Sequence, residues 1–135
     1  MSDRTICLIN DSFPPVTDGV ANAVVNYARV ITESGSTAVV ATPAYPGADD
    51  SVLGFPVVRY PSIDMTKLVG YHAGFPFSEK TVKTLMEYPI DLIHCHLCCI
   101  HNCVSVNCCI TGNRSDASDL KHRTVCCTVV CCTVV

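Results

Sequence analysis

The chain has no tryptophan, no basic run, and no uninterrupted apolar stretch of the roughly 20 residues that a bilayer span takes. The second absence argues against a nucleic-acid partner, and the third leaves no transmembrane segment. Neither Gly-x-Gly-x-x-Gly nor the Walker Gly-Lys-Ser/Thr pattern occurs, which sets aside the common dinucleotide dehydrogenases and P-loop enzymes. Met1-Ser2-Asp3-Arg4-Thr5 carries charge and gives way to a short apolar stretch, too brief for a secretory h-region. These absences together predict a soluble, cytoplasmic protein. Cysteine is scarce as well until late in the chain: Cys7 alone precedes Cys95, and the other ten of the eleven lie from there onward.

That asymmetry divides the chain near Leu97. Residues 1–97 hold six Lys and Arg against ten Asp and Glu, and residues 98–135 three against two, within a total of −3. The first segment has ordinary α/β composition and patterning. The second holds Cys98-Cys99, Cys103 and Cys108-Cys109, an alternation at Val104, Val106, Cys108 and Ile110, a polar stretch from Thr111 to Thr124, and Val125-Cys-Cys-Thr-Val129 repeated at once as Val130-Cys-Cys-Thr-Val134. In a reducing compartment such cysteines stay mostly as thiols, so a disulfide framework is the weakest account of them. An abrupt loss of pattern, an excess of one rare residue and an exact five-residue duplication point to a shifted reading frame. The tail, residues 98–135, is expected to be disordered or irregular low-complexity sequence.

Within residues 1–97 the periodicities lay out a series of elements. Thr5-Ile-Cys-Leu-Ile-Asn10 reads as a strand covered on both faces. A loop with Pro14-Pro15 follows, and from Gly19 an apolar stripe at Val20, Val24, Tyr27 and Ile31 predicts a helix, with Thr17 or Asp18 as N-cap and Gly35 as its stop. Thr37 to Thr42 and Pro56 to Tyr60 read as further strands. Pro61 to Phe77 is expected to be irregular. Ser78 then caps a helix over Glu79 to Tyr88 with Val82, Leu85 and Met86 on one face, ended by Pro89, and Ile90 to His94 is a fourth strand. The order β-α-β-β-α-β predicts an α/β fold: a partial Rossmann-like open parallel sheet, whose ligands gather at the carboxyl ends of the strands.

The loop between Asp11 and Gly19 is the first segment able to carry chemistry. A glycine just before a helix lets a phosphate approach outward-pointing N–H groups with the positive end of the helix dipole behind them. On spacing alone, a glycine that merely eases a tight strand-to-helix turn explains it equally well.

The run Ile6-Cys-Leu-Ile-Asn-Asp-Ser-Phe-Pro-Pro-Val-Thr-Asp-Gly-Val-Ala-Asn-Ala-Val-Val-Asn-Tyr-Ala28 resembles the opening of family-four, retaining GT-B glycosyltransferases. Ala41-Thr-Pro43, Arg59-Tyr-Pro-Ser62 and Asp91-Leu-Ile-His-Cys-His96 match that family's pattern in order. The resemblance covers about residues 5 to 97, the first half of a GT-B N-terminal domain. It implies transfer of a hexose from a nucleotide-sugar, UDP- or GDP-hexose, to a hydroxyl of a lipid or glycan acceptor, with retention of configuration and no obligatory metal or cofactor. It places Gly19, with Asp18, beside the donor phosphates and His96 at the cleft edge. Tyr71 and His72, after the third strand, become candidates for the acceptor side, with ordinary loop packing as the plainer account. The Arg/Lys pair and Glu-x₇-Glu pattern that grip the nucleotide in that family belong to a second domain this sequence does not contain. The chain alone is therefore expected to be an inactive, truncated fragment.

A second cluster offers a different chemistry. Cys95, His96, Cys98, Cys99, His101 and Cys103 supply thiolate and imidazole ligands suited to zinc or copper(I), which defines the alternative of a small metal- or thiol-binding protein using residues 95–135. No paired C-x₂-C knuckles at the usual separation support it. Cys95-x-x-Cys98 lacks the intervening residues typical of a thioredoxin motif, and His94 reads as a strand residue facing the sheet.

Overall fold

The computed structural model describes residues 3–69, 72–74 and 78–96. Four parallel strands form the main sheet: β1 (Thr5–Ile9), β2 (Thr37–Pro43), β3 (Val57–Tyr60) and β6 (Ile90–Cys95), in the spatial order β3-β2-β1-β6. Each is rich in Val, Ile, Leu, Ala or Thr, and the central β1 and β2 bury most of their side chains, as strands covered on both faces require, while the outer β3 and β6 bury half. The register sets Ile9 between Ala41 and Cys95. The predicted α/β open parallel sheet is thus present.

Helix α1 (Gly19–Glu33) covers one face and helix α3 (Glu79–Met86) the other. The α1 layer buries Leu8, Val24, Ala28, Ala38 and Val40 together with Phe13 and Phe55, while the α3 layer buries Cys7, Ile9, Val39, Ala41, Ile93 and Leu85. The buried face of α1 is turned from the expected stripe, since Ala21, Val24 and Ala28 face the sheet and Tyr27 is 48% exposed. The two alanines let the helix axis approach the strands closely, which pushes the bulky Tyr27 to the flank. Asp18 is the N-cap, accepting from Ala21 N–H at 2.6 Å. At the other end Gly35, at φ +84°, closes a Schellman turn in which Ser36 N–H donates to Ile31 and Gly35 N–H to Thr32. Ser78 caps α3 as expected, and that helix stops at Met86, three residues before Pro89.

The segment expected to be irregular carries structure. Strand β4 (Ser62–Asp64) pairs antiparallel with β5 (His72–Gly74), and the single turn of helix α2 (Thr66–Val69) lies between them. Gly74 sits so close to β3 that a Cβ there would lie 2.2 Å from the Tyr60 ring. Only glycine allows that approach. Among the described residues no strand pairs with the outer edge of β6.

Candidate functional site

Strands β2, β1 and β6 all end at one edge of the sheet, and the chain leaves β1 there through residues 10–18 to reach the N-terminus of α1. One rung past the Ile9 register stand Thr42, Asn10 and His96, held in line by Asn10 N–H donating to Ala41 and His96 N–H donating to Ile9. All three are buried, and Thr42 Oγ1, Asn10 Oδ1 and His96 Nδ1 find no hydrogen-bond partner among the described residues. An unpaired buried polar atom costs about 1–3 kcal/mol, so this row is a local departure from the rule that interior polar groups are satisfied.

The loop above that row is pinned from several sides. Ser12 Oγ donates to Asp18, and Asn10 Nδ2 to the Ser12 carbonyl. Tyr45 Oη donates to the Asp11 carbonyl at 2.8 Å, and Tyr60 Oη approaches Asp11 Oδ1 at 3.2 Å. Burial, and then the Asp11 charge, push the Tyr45 phenol above its ordinary value. The Pro14–Pro15 peptide bond is cis. Arg59 spans the whole arrangement. Its guanidinium pairs with both carboxylate oxygens of Asp50, at 3.0 and 2.7 Å, donates to the Pro43 carbonyl at 3.0 Å and the Pro14 carbonyl at 2.6 Å, and stacks over Phe13 at 5.4 Å. Local sequence pattern does not reveal this staple, because its partners lie 9, 16 and 45 positions away.

Asp18 and Gly19 meet at the start of α1, as expected. Asp18 engages Ala21 N–H and accepts Asn22 N–H through its carbonyl. The N–H groups of Gly19 and Val20 have no intrahelical acceptor, being in the first turn. Gly19 is exposed, and no atom lies within 4 Å of where its Cβ would be. The site is therefore an open helix N-terminus with two N–H groups to offer. His96 lies across the same edge at the end of β6.

His72 falls in β5, beside the loop rather than in it. Its ring tilts against Tyr45 with centroids 4.6 Å apart, Nδ1 is 3.3 Å from Ser62 Oγ, and Nε2 is 3.7 Å from Asp64. Ser62 gives its proton to the Ala44 carbonyl, which leaves it no proton for His72 and no character as a nucleophile. Thr66, and more weakly His72, hold the exposed Asp64 carboxyl below its ordinary value. Tyr71 lies outside the described residues.

Of the thiol and imidazole cluster, Cys98, Cys99, His101 and Cys103 also lie outside them. Cys95 and His96 are described, and strand alternation sends them to opposite sides: Cys95, which is disulfide-bonded and not the free thiol expected, joins the α3 layer, whereas the His96 ring meets that of Tyr27 of α1 with centroids 5.9 Å apart. No group of three or more His, Cys, Asp or Glu side chains converges among the described residues. His94 shares the α1 face with His96, their rings 6.1 Å apart and 22° from parallel. Burial, with His96 nearby, lowers the His94 pKa below its ordinary value. Both histidines border an apolar groove of about 490 Å³ between α1 and β6, floored by Ile6, Leu8 and Leu92.

No helix among the described residues is long and apolar enough to cross a membrane. No family model matches the chain, and neither does any solved structure. Over 92 residues, 66% of its length, the chain is 28% identical to a GDP-mannose-dependent alpha-mannosyltransferase of Corynebacterium glutamicum. It spans only 22% of that relative. This weak similarity, set on a parallel α/β sheet, supports a glycosyltransferase relationship for the chain.

Proposed function

We propose that residues 1–97 are the opening half of the N-terminal Rossmann-like domain of a retaining GT-B hexosyltransferase, followed by an unrelated Cys-rich tail at 98–135. Its donor is a nucleotide-sugar, with GDP-mannose the first to test given the named activity of the relative. The acceptor is a hydroxyl of a lipid or glycan, and the intact enzyme works in the cytoplasm. The open N-terminus of α1 at Gly19 is the observation that carries this reading.

In this mechanism Gly19 and Val20 N–H, backed by the helix dipole, receive the donor's phosphate oxygens and stabilise the negative charge that grows as the diphosphate leaves. The groups are preorganised, because Asp18 and the Arg59 staple fix the loop before any ligand arrives. The Asp18 carboxylate opposes an incoming anion, and its engagement with Ser12 and Ala21 holds it in a capping role. His96 borders the transferred sugar, and the polar row of Thr42, Asn10 and His96 gives that edge unsatisfied groups to meet it. His72 stands on the acceptor side. Attack comes from the same face that the diphosphate leaves.

Amide NMR of the full chain, titrated with GDP and with GDP-mannose, tests this. Shifts concentrated at Ser12, Gly19 and Val20 are expected, and Gly19→Val should erase them. The space around Gly19 lets that variant fold. Absence of loop shifts at millimolar ligand, or equal shifts in the variant, would refute the phosphate-site reading.

A further inference from the structure

We propose that His94 and His96 form a two-imidazole site for a divalent first-row transition ion such as Zn²⁺, on the α1 face of β6. The pair stands two residues apart at the end of one strand, so both side chains emerge on the same side of the sheet. Their rings are 22° from parallel with centroids 6.1 Å apart. Two imidazoles bound to one tetrahedral ion through bonds of about 2.1 Å have centroids roughly 5 Å apart, so binding requires side-chain rotations that close about 1 Å and turn one nitrogen of each ring toward the ion.

Three features of the surroundings favour a cation. Tyr27 meets both rings edge to face, with centroids 6.3 and 5.9 Å apart. His96 Nδ1 is buried without a partner among the described residues, so binding a metal through it sacrifices no hydrogen bond. Among the described residues that line the groove the two histidines share there is no lysine or arginine to oppose a positive ion. Imidazole suits zinc, copper and nickel, and water entering from the groove mouth completes the sphere. Cys95, between the two histidines in sequence, lies in the opposite layer and takes no part. The site thus differs from one built on the thiols around residue 98, and it stands whether or not the transferase reading holds.

Histidine-selective ¹⁵N NMR of the full chain, titrated with Zn²⁺, tests the proposal with His72 as an internal reference. The ring nitrogens of His94 and His96 should shift together at the same Zn²⁺ concentration while those of His72 stay in place, and His94→Gln should abolish the His96 response. As a second measurement, Zn²⁺ should protect His94, the more accessible of the two, from diethyl pyrocarbonate in the unmodified protein, which keeps the test valid if the variant does not fold. The proposal is overturned if neither histidine responds to excess Zn²⁺, if they respond at separate concentrations, or if His96 responds equally in His94→Gln.

Discussion

Arg59 holds the Pro14 carbonyl at 2.6 Å across 45 positions of sequence, while the same guanidinium grips Asp50 with two hydrogen bonds. One side chain thereby fixes the loop after β1, the end of β2 and the turn before β3 in a single arrangement. Its side chain is 15% exposed and that of Asp50 27%, so solvent screens the pair only in part. Replacing Arg59 by Ala leaves Asp50 and two carbonyls without their donor and is expected to cost about 2–4 kcal/mol. Lysine cannot reproduce the fork and should recover less than half of that. Urea midpoints of the two variants measure it, and equal midpoints for wild type and Arg59→Ala would show the staple to be idle.

Gly74 and Tyr60 give a second, independent test. A methyl at position 74 meets the Tyr60 ring at 2.2 Å and the Pro43 ring at 3.0 Å, and Tyr60 is itself fully buried. Neither neighbour can swing away without opening the α3 layer. Gly74→Ala is expected to destabilise by about 1–3 kcal/mol, the usual range for overpacking. Gly19→Ala, with open space around its Cβ and ordinary φ, should change stability by less than about 0.5 kcal/mol. The contrast between two identical substitutions, read from thermal midpoints, checks the geometry of the β4–β5 pair.

These residues also show what the sequence made legible. The four main strands and two long helices follow from local signals: apolar runs, caps at Asp18 and Ser78, and breakers at Gly35 and Pro89. The β4–β5 pair was not legible, because strands of three residues arise from the pairing of Ser62 with Gly74 rather than from any periodicity of their own. The rotation of α1 was hidden for a related reason, since alanine reads weakly in a hydrophobic stripe yet buries best where a helix approaches a sheet. At the site, Asp18, Gly19 and His96 could be picked out from a glycine before a helix and from the family pattern. The roles of Arg59, Tyr45 and Tyr60 depend on contacts that only the folded chain creates.

Cys7 is completely buried in the α3 layer, and that burial pushes its thiol from the ordinary 9.0 to about 12. Thiolate is the reactive form, so brief iodoacetamide treatment at pH 8 should leave Cys7 unmodified in the folded chain and label it in urea, as peptide mass spectrometry would read. The same shift makes stability depend on pH. The raised folded value means that the native state keeps its proton between pH 9.0 and about 12 while the unfolded chain loses it. The contribution is fully present below pH 9.0 and falls by about 1.4 kcal/mol per pH unit above it. Cys7→Ala should remove that slope, and parallel urea titrations of the two proteins from pH 8 to 10.5 would isolate it by difference. Identical slopes would mean that Cys7 opens to solvent.

The two helix caps separate folding from ligand binding. Asp18 and Ser78 each accept a hydrogen bond from the N–H three residues on, at 2.6 and 3.2 Å. Loss of either cap to alanine should cost about 1 kcal/mol. Their effects on anions should differ. Ser78→Ala leaves the Gly19 end untouched, whereas Asp18→Asn keeps a capping oxygen and removes a negative charge from the mouth of the proposed phosphate site. Asp18→Asn is therefore expected to hold stability within about 0.5 kcal/mol of wild type, since Asn and Asp cap almost equally well. It should also bind GDP more tightly than wild type, because the remaining positive end of α1 is no longer opposed. Weaker GDP binding in an Asp18→Asn chain of unchanged stability would instead give the carboxylate a direct hold on the ligand, through a hydroxyl or an amino group of the donor.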